Sequence, residues 1–358
     1  MTIAALVVAS GPAGATDVAS GESSIAASHV VVSSDGEFLS FAASSVEARR
    51  ELESSFMALR ETGATVERLY GAHGSLSFPT NDPGIGDQWN LAAMDIGGAW
   101  GATTGTGVTV AVLDSAVNFG GTDGFCGPVV EPYDAQSDTP GLASLNTTAG
   151  FGHGTHVAAT IGQCTDNGVG VAGTAPDAAI MPIRVLTDDG LGSSSQLARG
   201  IDWAVARGAD VINLSLGTPC SSAWPSCGDP VVDSAIASAV ASGIVLVASS
   251  GNNSSAHVAY PAAHPDVIAV GAATASGEAW EPGNDGTVLD VAAPGVGIIQ
   301  ETTSFGSYTY MSGTGTSMAA PHVSATAALM LAVDPVSYTH LTLPTNTVTW
   351  GWRGWGGR

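Results

Sequence analysis

Three residues of this 358-residue chain stand where short apolar runs give way to turns of small residues: Asp114 in VLDSAVN, His153 in GHGTHVAAT and Ser317 in GTGTSMAAPHV. Their types fit together as an activated nucleophile. A serine hydroxyl reacts poorly until a neighbouring base removes its proton. Histidine, with a reference pKa of about 6.5, can take that proton and return it to a leaving group. A carboxylate fixes the ring's tautomer and stabilises the imidazolium. The small neighbours of Ser317 would let a substrate main chain come close. Each residue also has a plainer reading. An Asp after a strand is commonly a turn or cap residue, and a Ser at a helix start commonly a cap. His153 and His156 could face one way as a metal pair, but the Glu of an HExxH motif is missing. The set carries the inference, not its members.

Such groups need elements to gather them. Wholly apolar runs occur at Val108–Leu113, Ala179–Leu186, Asp210–Leu216, Gly243–Ser249 and Val267–Ala272. Strands apolar on both faces belong to parallel sheets covered by helices. Helix-length stretches ending in Gly, Ser193–Gly208 and Asp229–Gly243, lie between them. Alternating strands and helices predict an α/β domain with a doubly wound, mostly parallel sheet and helices on both faces. Chemistry in such sheets sits beyond the carboxyl ends of the strands. A helix should begin at Ser317, with Pro321 in or just after its first turn.

Residues 29–78 read as a small α+β segment: strands at His29–Ser34 and Ala64–Gly71 flank an amphipathic helix at Ser45–Gly63. A Pro/Gly-rich linker follows from Pro79. Residues 1–28 contain a short apolar stretch and then AGA, read as a signal remnant, or otherwise as a disordered segment, an ordinary N-terminal strand or an incomplete start. The tail, 336–358, holds three of the eight tryptophans, two of the nine arginines and no acid. It reads as a non-native addition to a domain spanning 79–335 that is C-terminally incomplete; a C-terminal hairpin is the other reading.

Nine basic residues, all arginine, face 32 acids, for a formal charge of −23. That balance repels phosphate backbones and excludes nucleic acid as a partner. No uninterrupted apolar run reaches the roughly 18 residues of a membrane span. Cys126, Cys164, Cys220 and Cys227 allow three pairings, with Cys220 and Cys227 flanking a loop short enough to bridge. No CxxC pair suggests zinc. Two structural disulfides in an oxidising compartment is the reading adopted. No GxGxxG follows the first strand of the parallel set, which counts against a dinucleotide-binding protein.

VLDSAVN, GHGTHVAAT and GTGTSMAAPHV resemble the three signatures of the subtilisin-like serine proteases, in the family's order of Asp, His, Ser. The resemblance runs from about Asn81 to Asp334. It implies a subtilisin-like fold and a secreted serine endopeptidase working through an acyl-enzyme, with Asp114 orienting His153, His153 as base and Ser317 as nucleophile. Asn252, in ASSGNNSS, matches the family's side-chain oxyanion donor, with Asn253 the less favoured neighbour. Ser215, Leu216 and Gly217, with Gly190, Leu191 and Gly192, resemble the two segments that hold a peptide as an added strand. The loop Gln163–Gly173, with Asp166 and Asn167, and Asp82 in NDP resemble calcium-binding positions, so a structural calcium is implied but no catalytic cofactor. Residues 29–78 resemble part of a propeptide, which would act as an intramolecular inhibitor of an extracellular monomer on polypeptide substrates. Two positions depart from the family pattern of Gly: Ala116 and Ala159. A truncated, inactive or binding-only homologue is the alternative.

Overall fold

The computed structural model describes residues 80–141, 152–222, 225–304 and 306–333, together with three short strands nearer the N-terminus. The expected helix at 45–63, the segment 1–28 and the tail 336–358 lie outside the described residues. The chain divides into two units, Met1–Ser75 and Leu76–Arg358. In the first, β1 (His29–Val32), β2 (Phe38–Phe41) and β3 (Thr65–Glu67) form an antiparallel sheet in the order β2-β1-β3.

The second unit begins with two short helices, α1 (Trp89–Ala93) and α2 (Ile96–Trp100). The elements β4 (Thr109–Asp114), β5 (Tyr133–Asp134), β6 (Thr139–Pro140), α3 (His153–Gly162), β7 (Ala179–Arg184), α4 (Ser194–Ala206), β8 (Val211–Leu214), α5 (Pro230–Ala241), β9 (Val245–Ser249), β10 (Ile268–Ala273) and β11 (Val291–Pro294) follow. A hairpin, β12 (Ile298–Ser304) and β13 (Ser307–Gly313), leads into α6 (Thr316–Val333).

The main sheet has eight strands in the order β11-β10-β9-β8-β4-β7-β5-β6, parallel except for the β5–β6 edge pair. This is the doubly wound sheet expected from the apolar runs. Alternation along each strand divides its side chains between two cores. Val110, Val112, Ile180, Val211 and Val247 pack with Val157 and Ile161 of α3 and the alanines of α6. Ala111, Leu113, Ile183, Ile212 and Leu246 pack with Ile201 of α4 and Ile236 of α5. Side chains on a strand point alternately to opposite faces, so an unbroken apolar run serves both layers.

The helix starts follow from local chemistry. Ser193 caps α4 in a capping box with Gln196, and Asp229 caps α5 by accepting from Val231 N and Val232 N, with Pro230 in the first turn. Each satisfies main-chain donors that a helix start leaves without partners.

Pro321 is the sixth residue of α6, just past its first turn. α6 is 18 residues long with mean hydropathy 1.3, enough by length and composition to cross a membrane; 67 % of it is buried within the protein, where it serves as a core helix. The β12–β13 hairpin was not foreseen. β12 opens on two isoleucines, with Ile298 in the core, but continues as Gln-Glu-Thr-Thr, a buried polar stretch in place of the apolar run that marks the main sheet.

Candidate active site

The strand order reverses around β4, where the chain leaves toward β5 on one side and later builds β8 to β11 on the other. The crevice beyond the carboxyl ends of the strands opens at such a switch point. Asp114 is the last residue of β4 and is fully buried.

α3 starts at His153 and is pressed against the end of β4. A Cβ on Gly154 would lie 2.5 Å from the Ser115 carbonyl oxygen, so only glycine allows this approach. Gly154 N–H donates to Ser115 Oγ at 3.0 Å. The contact brings His153 Nδ1 to 2.8 Å from Asp114 Oδ1. A carboxylate only accepts, so Nδ1 carries the proton and Nε2 carries the lone pair available for proton exchange. The His153 side chain is 30 % exposed while Asp114 is sealed beneath it. Burial works against the imidazolium, yet the charge and hydrogen bond of Asp114 outweigh it and raise the ring above its ordinary pKa. Asp114 Oδ1 also accepts from Ser115 N–H at 2.7 Å, whereas Oδ2 is buried with no hydrogen-bond partner among the described residues.

The second histidine of the motif does different work. His156 Nε2 faces two carbonyls, Ile298 O at 3.0 Å and Met311 O at 3.2 Å, so it donates to both ends of the β12–β13 hairpin. It is fully buried. The two histidines therefore do not form a metal pair.

Ser317 is the second residue of α6. Its Oγ donates to Ser215 O at 3.1 Å, and Ser215 Oγ donates back to Ser317 O at 2.8 Å. Behind them, buried Asn213 of β8 donates to Ser215 Oγ at 2.9 Å and accepts from Ser324 Oγ at 2.8 Å. These bonds fasten the start of α6 to the end of β8.

Asn252 follows β9 on an exposed turn. Its Oδ1 accepts from Thr316 N–H at 3.0 Å and Thr316 Oγ1 at 2.8 Å, and Gly251 N–H donates to Thr316 Oγ1 at 3.1 Å. Tying down Oδ1 leaves Nδ2 as the donating end of an amide held against the residue before Ser317. Thr316 and Asn213 were not identified from sequence. Thr316 lay in plain view next to the serine, but nothing local pairs it with Asn252; a lone Asn in a strand gives no signal.

The expected substrate segments lie directly after β8 and in the loop between β7 and α4. Leu216 and Gly217 continue β8, and Gly217 is exposed. Gly190 and Leu191 belong to a tight turn: Thr187 N–H donates to Leu191 O at 2.7 Å and Gly190 N–H to Thr187 O at 2.9 Å. Leu191 is 69 % exposed. Among the described residues, no hydrogen bond occupies the main chain of Gly192 or Gly217. These are edges to which an extended chain could pair.

In the loop expected to hold calcium, the oxygens have protein partners. Asp82 accepts from Thr80 Oγ1, Asp166 N–H at 2.9 Å and Asn167 N–H at 3.1 Å. Asp166 Oδ1 accepts from Asn81 N–H at 3.1 Å, and Asn167 Oδ1 from Val169 N–H at 2.7 Å. Among the described residues no group of three or more His, Cys, Asp or Glu could hold a metal ion. Asp82, Asp166 and Asn167 offer oxygens of the kind calcium takes, each side chain already holding an N–H donor.

Both disulfides form: Cys126–Cys164 and Cys220–Cys227. Ala116 is buried without a positive φ, so its methyl causes no backbone strain, and Ala159 is buried within α3.

The Subtilase family model matches residues 105–348. Subtilisin BL of Lederbergia lenta is 40 % identical over 232 residues, 65 % of this chain and 79 % of its own. The minor extracellular protease Epr of Bacillus subtilis is 34 % identical over 255 residues, 70 % of this chain and 36 % of its own. A solved protease of Pseudoalteromonas arctica matches with a TM-score of 0.64 at 30 % identity, over 72 % of this chain and 88 % of that one.

Proposed function

The chain belongs to the subtilase family and is a serine endopeptidase, and from that premise we propose that Asp114, His153 and Ser317 form its catalytic triad, with Asn252 as oxyanion donor. The observation that carries the assignment is the 2.8 Å bond from His153 Nδ1 to buried Asp114. It supports Nε2 as the base, and Ser317, the second residue of α6, as the serine it would serve.

The Ser317 hydroxyl points at Ser215 O in the resting arrangement. A peptide paired along Ser215–Gly217 would offer its own N–H to that carbonyl and release the hydroxyl toward His153. His153 Nε2 then takes the proton as Oγ attacks the scissile carbonyl carbon. The tetrahedral oxyanion accepts from Asn252 Nδ2 and from the Ser317 N–H, one of the first-turn donors that a helix leaves without an internal acceptor. Collapse returns the proton to the leaving amine and leaves an acyl-enzyme. Water, activated by the same imidazole, hydrolyses it.

Gly217 with Leu216, and Gly190, Leu191 and Gly192, would flank the substrate as neighbouring strands, with main-chain bonds giving affinity and side-chain pockets giving preference. Extracellular location rests on the two disulfides and the extracellular relative. Residues 29–78 would act as an inhibitory propeptide of a monomer. A structural calcium would be held by oxygens of Asp82, Asp166 and Asn167 with nearby main-chain carbonyls. A melting temperature that falls with EDTA and recovers with Ca²⁺ would establish it.

The test is labelling with a sulfonyl fluoride followed by peptide mapping. The adduct is expected on Ser317 and absent from Ser317→Ala. An adduct on another serine would overturn the assignment.

A further inference from the structure

Asn284, in the loop from β10 to β11, is 2 % exposed and lies against the turn that carries Asn252. Its Oδ1 accepts from Asn253 N–H at 2.8 Å and Ser255 N–H at 3.2 Å. Its own N–H donates to Gly251 O at 2.8 Å, and its carbonyl accepts from Ser250 Oγ at 3.1 Å. Two further bonds close the seam, Ser254 N–H to Pro282 O and Asp285 N–H to Ser255 O, each 2.9 Å. Every residue from Ser250 to Ser255 except Asn252 is therefore bonded to the 282–285 segment. Asn252 alone is left for Thr316 and the substrate.

The side chain has an unusual feature. Asn284 Nδ2 is buried and has no hydrogen-bond partner among the described residues. It sits 2.4 Å from where a Cβ on Gly251 would be, and Gly251 has a φ of +102°. A buried unpaired donor is costly and calls for a compensating role. What the amide provides here is its oxygen, which accepts from the residues on the far side of Asn252 while the Asn284 main chain holds the near side. Gly251 has no side chain because the Asn284 amide occupies that space.

We propose that Asn284 is a positioning residue for oxyanion stabilisation. It fixes the turn so that Asn252 Nδ2 is in place before the transition state forms. A donor helps only when it is already directed at the developing charge, so a turn free to shift would lower turnover without weakening substrate binding. The inference rests on Asn252 being the oxyanion donor, and the test separates the two.

The test is a double-mutant cycle of Asn284→Ala and Asn252→Ala, with kcat and KM measured on a peptide substrate and active enzyme counted by titration. Asn284→Ala is expected to lower kcat about tenfold or more with KM within about twofold. In the Asn252→Ala background it should change kcat by less than about twofold, because the donor it positions is gone. An equal loss in both backgrounds, or a loss confined to KM, would overturn the role of Asn284. Unchanged kcat in Asn252→Ala alone would overturn the oxyanion assignment instead, and this inference with it. Should the alanine variant fail to fold, Asn284→Ser, with a hydroxyl too short to span both N–H groups, goes through the same cycle with the same outcomes.

Discussion

Thr316 holds Asn252 Oδ1 by two donors at once, its main-chain N–H at 3.0 Å and its hydroxyl at 2.8 Å. The residue before the candidate nucleophile thus orients the amide assigned to the oxyanion, so the two donors approach the reacting carbonyl as one piece. Thr316→Val keeps the main-chain bond and the shape but removes the hydroxyl. A neutral hydrogen bond is worth about 1 kcal/mol, so kcat should fall roughly five- to tenfold with little change in KM. Steady-state kinetics on titrated enzyme measures both. Full activity would mean that the main-chain bond alone orients Asn252.

The pH dependence of activity follows from His153. The ring must be neutral to accept the Ser317 proton, and Asp114 raises its pKa above the ordinary value of 6.5. The acid limb of kcat/KM should therefore have its midpoint above 6.5, with activity lost as pH falls through it. An NMR titration of the His153 ring in Ser317→Ala should give the same midpoint. A midpoint below 6.5 would mean that burial outweighs the carboxylate.

Acid should weaken the fold at two buried rings for a separate reason. His156 and His322 are buried, and burial lowers each pKa from 6.5 to about 4. Between these values the unfolded chain binds protons that the folded chain refuses. Each ring thus contributes on the order of 3 kcal/mol above pH 6.5, lost as pH falls toward 4. Asp123 works the other way. Burial raises its pKa to about 6, so the folded state takes up its proton first and gains stability as pH falls from 6 toward 3.8. His153 and Asp290, whose pKa values are raised as well, act in the same sense as Asp123, so the contribution of one ring is read as a difference. Calorimetry from pH 8 to 4.5 should show a melting temperature that suffers less from acid in His322→Gln than in the parent. Parallel curves would remove His322 from the account.

The two disulfides should differ in worth. Cys126–Cys164 joins residues 38 apart and Cys220–Cys227 residues 7 apart. In the chain-entropy account these closures are worth about 4 and about 2.4 kcal/mol. Serine replacement of the first pair should lower denaturant stability more than replacement of the second. The reverse order would show that native-state packing, not loop closure, sets the contribution.

Much of the frame was legible in the sequence. The apolar runs became β4, β7, β8, β9 and β10 because burial on both faces demands such runs wherever they lie. The starts of α4 and α5 were marked by Ser193 and by Asp229 with Pro230, whose capping bonds are local. The β12–β13 hairpin was missed because the buried middle of β12, Gln300 to Thr303, is polar and meets partners such as Gly152 and Gln163 that lie far away in sequence. Asp82 and Asp166 gave no local sign of their partners, the amide N–H groups that folding brings to them.

At the site, residue type and local spacing pointed to Asp114, His153 and Ser317, because small residues around a strand or helix end leave their mark within a few positions; Asn252 came only from the resemblance to the family. Their pairings were decided in three dimensions. Asn252 meets Thr316 across 64 residues, Asn253 meets Asn284 across 31, and the Ser317 hydroxyl meets Ser215 across 102. A hydrogen bond reaches about 3 Å and is directional, so which partners meet depends on the order of the strands and the closure of the loops between them. No local pattern records that order.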